Sequence, residues 1–216
     1  MILISEVFQT IQGEATHAGK PSVFVRLQYC PVGCPWCDTK YTWAKDKVDE
    51  PPDNIFTRQM VAGGIEWEEK NLIYTIAQRF TARHLVLTGG EPCAQQIFNL
   101  LKHATDAGFT TQVETSGTYA IHVPKSTFVT VSPKIDMPGG RVVLRESLHR
   151  ANEVKHPVGR TADVEKLDLL LDGYKPPVVW LQPLSQSEKA TDLCVQVCME
   201  RNWRISIQLH KYVGLP

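Results

Sequence analysis

Short apolar runs recur along the chain, alternate with amphipathic stretches, and stop repeatedly at polar or glycine-rich turns. Residues 22–27 (SVFVRL), 84–87, 111–114, 128–131, 153–155, 178–181 and 204–209 read as strands. Between them, 68–80 carries Leu72, Ile76 and Phe80 at helical spacing, and 95–107 carries Ile97, Leu100, Leu101 and Ala104 before Gly108 stops it. Residues 142–151 have helical character, Asp163 caps a helix to about Leu171, and Ser187 caps a longer one to Arg201. The stretch 44–66, with Pro51-Pro52 and Gly63-Gly64, reads as an irregular insertion. This succession predicts an α/β fold with a parallel sheet under covering helices, open or curled into a partial barrel. About seven strands and four or five helices are too few for an eightfold barrel.

In such folds the C-terminal strand ends share one face, where ligands bind. Thr88-Gly89-Gly90, Thr115-Ser116-Gly117, Ser132-Pro133 and Gln182-Pro183 all fall at expected strand ends. Paired glycines let a backbone approach a ligand and donate its N–H groups, and the hydroxyl and amide groups suit ribose and carboxylate contacts.

At 216 residues the chain reads as a single domain over 1–216, with a core that needs no metal or disulfide to fold. Its 23 basic and 23 acidic side chains leave no net charge, which argues against a nucleic-acid groove or a polybasic membrane patch. No apolar run approaches the ~18 residues of a membrane span. The first basic residue, Lys20, comes too late for a signal peptide, so a soluble, cytoplasmic protein is expected.

Six cysteines in a reducing compartment point to metal or redox chemistry rather than to disulfides. Cys30, Cys34 and Cys37 crowd into a loop with Pro31, Gly33 and Pro35, directly after the first expected strand. Prolines and glycine oppose a helix there and let three thiolates converge. Three thiolates leave one iron of a [4Fe–4S] cluster open, whereas four would close the site. A structural zinc completed by His17 or Cys93, and unligated thiols, are the other readings of the spacing alone.

Cys30-Pro-Val-Gly-Cys34-Pro-Trp36-Cys37 resembles the CxxxCxφC signature of the radical S-adenosylmethionine superfamily, and Gly89-Gly90-Glu91 resembles its GGE motif. The resemblance implies a partial, shortened parallel (β/α) barrel of the radical SAM type. It implies a [4Fe–4S] cluster on the three cysteines and S-adenosylmethionine on its open iron. Trp36, Asp38, Gly89, Gly90, Glu91, Ser116, Ser132, Pro133, Lys134, Gln182 and Pro183 are then the cofactor-binding set.

A longer series runs in order over nearly the whole chain. It comprises Phe8-Gln-Thr-Ile-Gln-Gly-Glu14, Phe24-Val-Arg26-Leu, Cys37-Asp38-Thr39, Leu87-Thr-Gly-Gly-Glu-Pro-Cys93, Glu114-Thr-Ser-Gly117, Val131-Ser-Pro-Lys134 and His210-Lys211. The series is similar to the 7-carboxy-7-deazaguanine synthases, and Arg150-Ala-Asn-Glu-Val-Lys-His-Pro-Val-Gly159 to their proteobacterial branch. That family converts 6-carboxy-5,6,7,8-tetrahydropterin to 7-carboxy-7-deazaguanine with release of ammonia, toward the queuosine of tRNA.

The resemblance implies that Ile11, Gln12, Gly13, Glu14, Lys20, Arg26, Thr88, Glu114, His210 and Pro216 bind the pterin, and that Thr39 gives an oxygen to Mg²⁺. Arg26, a charge amid Val23, Phe24, Val25 and Leu27, is expected to face inward and pair with the substrate carboxylate. A flavodoxin-type electron donor and a homodimer are the family's expected partners. The nearest rival within the superfamily is a glycyl-radical activase, and the rival from another class is a zinc or iron–sulfur scaffold. Cys194 and Cys198, one helical turn apart, read as small core residues, and Trp67, Trp180 and Trp203 as core or subunit-contact residues.

Overall fold

A computed structural model describes residues 1–57 and 62–215. The chain opens with β1 (Ile2–Ile11) and β2 (Pro21–Leu27) and continues through β3 (Ile65–Trp67), α1 (Glu69–Arg79) and β4 (His84–Gly89). It goes on through α2 (Phe98–Asp106), β5 (Thr110–Thr115), β6 (Phe128–Val131), α3 (Arg145–Arg150) and β7 (Glu153–Val158). The last elements are α4 (Thr161–Leu171), β8 (Val179–Pro183), α5 (Glu188–Arg201), β9 (Arg204–Ile205) and α6 (Leu209–Val213).

The nine strands make one sheet in the order β3-β1-β2-β4-β5-β6-β7-β8-β9. From β2 through β9 every pairing is parallel, while β1 pairs antiparallel with both β2 and β3. The seven parallel strands are the seven expected from the apolar runs. The two antiparallel ones were not anticipated: β1 mixes Glu6, Gln9 and Thr10 among its apolar residues, and β3 is three residues long.

Period-two alternation divides the sheet into two unlike faces. Val23, Val25 and Leu27 of β2, Leu85 and Leu87 of β4 and Val113 of β5 pack with Leu72 and Ile76 of α1 and with Leu100 and Leu101 of α2. Val129 and Val131 of β6, Val154 and Val158 of β7 and Leu181 of β8 pack with Leu148 of α3, Leu167 of α4 and Cys194 and Cys198 of α5. Each fully buried Leu, Ile or Val there contributes roughly 1.5–3 kcal/mol. The alternate positions on the other face include Phe24, Arg26, Val86, Thr88, Gln112, Glu114, Thr130, Glu153, Lys155, Trp180 and Gln182, which apart from the buried Val86 are polar or aromatic.

That second face curls around the segment after β1. Thr16 Oγ1 donates to Glu153 Oε2 at 2.5 Å, Ala15 N to Ser206 Oγ at 3.0 Å, and Gln182 Nε2 to Glu14 Oε1 at 3.1 Å. His17 Nδ1 lies 3.0 Å from Gln112 Oε1, with its ring against His84 and Phe128. Residues 14–17 thus bridge β5, β7, β8 and the turn after β9, and the sheet becomes a partial barrel with a polar interior.

Several boundaries move for identifiable reasons. The helix expected from residue 95 begins at Phe98, because the Gln95 side chain bonds Leu3 N, Leu3 O and Gln28 O, tying β1 to the end of β2. Asp163 is the third residue of α4 rather than its cap, and its Oδ2 accepts from the N–H groups of Gly159 and Arg160. The strand expected over 204–209 stops at Ile205: Leu209 N donates to Gly13 O at 2.9 Å, and α6 folds back over the barrel mouth. Trp180 is half-buried and outside the apolar core: its Nε1 donates to Glu153 Oε2 at 2.9 Å and Arg204 lies over its ring.

Candidate functional site

Tyr29 carries the chain from β2 into the cysteine loop in the left-handed region, at φ 82°. Such a non-glycine conformation costs about 1–3 kcal/mol and persists where neighbours hold it. Tyr29 N donates to Thr42 O at 2.7 Å, and its carbonyl accepts from Glu91 N at 2.8 Å. Gly33 (φ 72°) then turns the loop, and Cys30, Cys34 and Cys37 line the mouth of a cleft of about 360 Å³ at the C-terminal strand ends.

All six cysteines are free thiols. Burial pushes the Cys30 thiol up to about 11, and the charges of Glu91, Cys34 and Cys37 add to the push. Three thiolates that repel one another in a half-buried loop call for a cation to offset them. Among the described residues no three Cys, His, Asp or Glu side chains gather around a single ion. Three cysteines on the rim of an open cleft fit a cluster that takes three thiolates. His17 is inside the barrel on Gln112 and Cys93 is outside the cleft, so neither supplies a fourth ligand.

The cleft gathers most of the cofactor set: Trp36, Asp38, Gly89, Gly90, Glu91, Ser116, Ser132, Lys134, Gln182 and Pro183 line it. Pro133 lines a neighbouring cavity of about 530 Å³ shared with Trp36. Burial pushes Lys134 down, and its Nζ donates to Ser132 Oγ at 2.5 Å while lying 5.4 Å from the Trp36 ring centre.

Gly89, Gly90 and Glu91 also have structural roles at this end of β4. A Cβ on Gly90 would stand 2.1 Å from Tyr29 O, and one on Gly89 2.4 Å from Leu27 N. Gly90 N donates to Leu27 O at 2.8 Å. The paired glycines therefore admit the neighbouring chain, and the Gly90 N–H serves the strand end. Glu91 is 1% exposed, and its carboxylate accepts from Thr115 Oγ1, Cys93 N and both the N–H and hydroxyl of Ser116. It ties the end of β4 to the end of β5.

A smaller cavity of about 190 Å³ adjoins the cleft, lined by Ile11, Gln12, Gly13 and His210. Glu14, Arg26, Thr88 and Glu114 line both spaces and join them. Arg26 is not free, since its Nε donates to Glu6 Oε1 at 2.6 Å, and Tyr41 donates its hydroxyl to the same oxygen at 2.8 Å. Thr39 lines the cleft with its hydroxyl 3.5 Å from Cys37 Sγ. Lys20 is not brought there: its Nζ donates to Thr110 Oγ1 at 3.2 Å, at the opposite end of the strands. Pro216 lies outside the described residues.

The chain is 47% identical to the 7-carboxy-7-deazaguanine synthase of Escherichia coli strain K12, across 98% of both chains. The chain belongs to the 7-carboxy-7-deazaguanine synthase family. The 7-carboxy-7-deazaguanine synthase of Buchnera aphidicola subsp. Schizaphis graminum is 39% identical over the same share of both chains. The fold matches the crystal structure of QueE from Escherichia coli at a TM-score of 0.91 and 46% identity, over 97% of this chain and 94% of that one. No protein-family model matches the chain. As a 7-carboxy-7-deazaguanine synthase family member, the chain has the partial barrel of the radical S-adenosylmethionine superfamily, extended by the antiparallel β1 and β3.

Some polar groups of this family member's cleft were not foreseen from its sequence. Lys155, Gln208 and Lys211 line the cleft, and Glu6 and Tyr41 hold Arg26. Lys155 carried the same signal that marked Arg26, a charge within a buried strand. Gln208 had none, because it lies in a turn whose position depends on α6.

Proposed function

We propose that the chain is a radical S-adenosylmethionine enzyme that converts 6-carboxy-5,6,7,8-tetrahydropterin to 7-carboxy-7-deazaguanine with release of ammonia, in queuosine biosynthesis. The observation that carries this reading is the joining of the three-cysteine cleft to the small cavity through Glu14, Arg26, Thr88 and Glu114. Cofactor and substrate would then share a wall, as a short-lived radical requires.

Cys30, Cys34 and Cys37 would hold the [4Fe–4S] cluster, with S-adenosylmethionine along Trp36, Ser116, Ser132, Lys134 and Gln182. When bound, cluster and cofactor supply a 5′-deoxyadenosyl radical. Glu6 orients the Arg26 guanidinium through Nε, and the terminal nitrogens are the donors for the substrate carboxylate. The Thr39 hydroxyl would offer one oxygen to Mg²⁺ at the cleft. Gln12, Glu14 and Glu114 offer amide and carboxylate groups to the pterin ring, and His210 on α6 covers it from the barrel mouth. These groups position the substrate and exclude water.

Six unpaired thiols fit a reducing cytoplasm. Among the described residues no helix is long and apolar enough to cross a membrane. A flavodoxin-type electron donor and a homodimer complete the proposal.

Anaerobic reconstitution followed by turnover with carboxypterin, S-adenosylmethionine and Mg²⁺ tests the reading. About four irons per chain, 5′-deoxyadenosine and a product with the mass and ultraviolet spectrum of 7-carboxy-7-deazaguanine are expected. A colourless zinc protein, or Cys30→Ala that keeps its cluster and turns over, overturns it.

A further inference from the structure

Lys155 on β7 is 4% exposed and faces the barrel interior, where its Nζ pairs with Glu14 Oε2 and with Glu114 Oε2. Glu14 follows β1 and Glu114 is on β5, so one ammonium on β7 joins the segment inside the barrel to the barrel wall. The second oxygen of each carboxylate is served by glutamine amides. Glu14 Oε1 accepts from Gln182 Nε2 at 3.1 Å and Gln208 Nε2 at 2.8 Å. Glu114 Oε1 accepts from Gln12 Nε2 at 3.0 Å and Gln112 Nε2 at 3.3 Å. A carboxylate has about four lone-pair directions, so three donors leave one acceptor position on each. Both carboxylates line the small cavity.

We propose that Lys155 is a positioning residue, clamping Glu14 and Glu114 so that both stay ionised and turn their remaining acceptor positions to the N–H edge of a 2-amino-4-oxopyrimidine ring. The inference rests on the carboxypterin reading and adds a residue to it. Two buried carboxylates this close would otherwise hold a proton between them and lose an acceptor. Lys155 opposes that by charge and hydrogen bond: it holds the Glu14 carboxyl down at about 2, against the effect of burial. Burial raises Glu114, which makes it the member that takes up a proton once the ammonium is gone. The other charged or titratable groups around the triad are Glu153 on β7, Lys134 after β6, His210 and Lys211 on α6, Arg26 on β2 and Asp38 after the cysteine loop, with His17 and His84 reaching it through Gln112.

Binding of 7-carboxy-7-deazaguanine to reconstituted, oxidised holoenzyme, followed by fluorescence between pH 6 and 8, tests this without turnover. The wild type is expected to bind with a Kd flat across that range. Lys155→Met is expected to bind at least tenfold more weakly at pH 7 and to tighten as pH rises, because the shared proton then leaves. Lys155→Arg, which keeps the charge, recovers part of the affinity and a flatter profile. Should Lys155→Met not fold, Lys155→Met/Glu114→Gln keeps the triad's net charge, and is expected to fold and to bind at least tenfold more weakly than wild type with a flat profile. A folded Lys155→Met, or the double variant in its place, that binds like the wild type overturns the role of Lys155 alone. A wild type that binds neither this compound nor carboxypterin overturns the substrate reading as well.

Discussion

A Cβ on Gly13 would stand 2.1 Å from Nδ1 of His210, and 3.1 Å from that residue's own Cβ. The glycine after Gln12 is therefore the seat of α6, and Gly13 O accepts from Leu209 N at 2.9 Å beside it. Gly13→Ala is expected to push His210 off the small cavity while leaving the sheet intact. The KM for carboxypterin should rise roughly tenfold or more, since small misplacements in a positioned site cost this much. Urea midpoints measured alongside should change little.

Gly90 meets a harder obstacle, because the atom a Cβ would strike is a backbone carbonyl, Tyr29 O, rather than a side-chain tip. Gly90→Ala should part the end of β4 from the turn that leads into the cysteine loop. A loss of about 1–3 kcal/mol in urea unfolding is expected. Iron content after reconstitution should fall with it, since Tyr29 directly precedes Cys30.

Glu91→Gln separates a structural carboxylate from a ligand-binding one. The carboxylate accepts from four donors on Cys93, Thr115 and Ser116, and an amide turns N–H groups toward donors. A loss of about 1.5–3 kcal/mol is expected from the charge-assisted bonds alone. Thermal unfolding of the cluster-free protein should register it without any cofactor present.

His156 on β7 is 5% exposed, and burial, with Lys134 nearby, holds its imidazole down at about 4 against an ordinary 6.5. Its Nε2 lies 3.1 Å from Asp163 O, the carbonyl of the first turn of α4. Between pH 6.5 and 4 the unfolded chain binds a proton that the folded one refuses, so stability falls as pH falls through that window. The loss approaches about 3 kcal/mol at pH 4. Urea unfolding at stepped pH should show it, and His156→Leu should flatten the slope in that range.

Much of this was legible in the chain because it depends on local chemistry. Seven apolar runs became the seven parallel strands, and the spacing of Cys30, Cys34 and Cys37 placed three thiols at one strand end. The helix over 68–80 was readable because Leu72 and Ile76 repeat at one face and the Glu68 side chain caps Lys70 N and Asn71 N. The antiparallel β1 was not, because its Glu6 belongs to an ion pair with Arg26 that exists only once β1 and β2 lie side by side.

Sequence by itself determined which residues can form strands, where thiols crowd and which family the motifs resemble, since alternation, spacing and glycine placement are read along the chain. Tertiary structure alone decided what those residues touch. Gly89 and Gly90 make room for a neighbouring strand, Glu91 braces a loop, Lys20 faces the far end, and Lys155 joins two glutamates separated from it by 141 and 41 positions. The physical reason is that a buried charge is stable only beside its partners, and a curled sheet brings those partners from strands far apart in the chain.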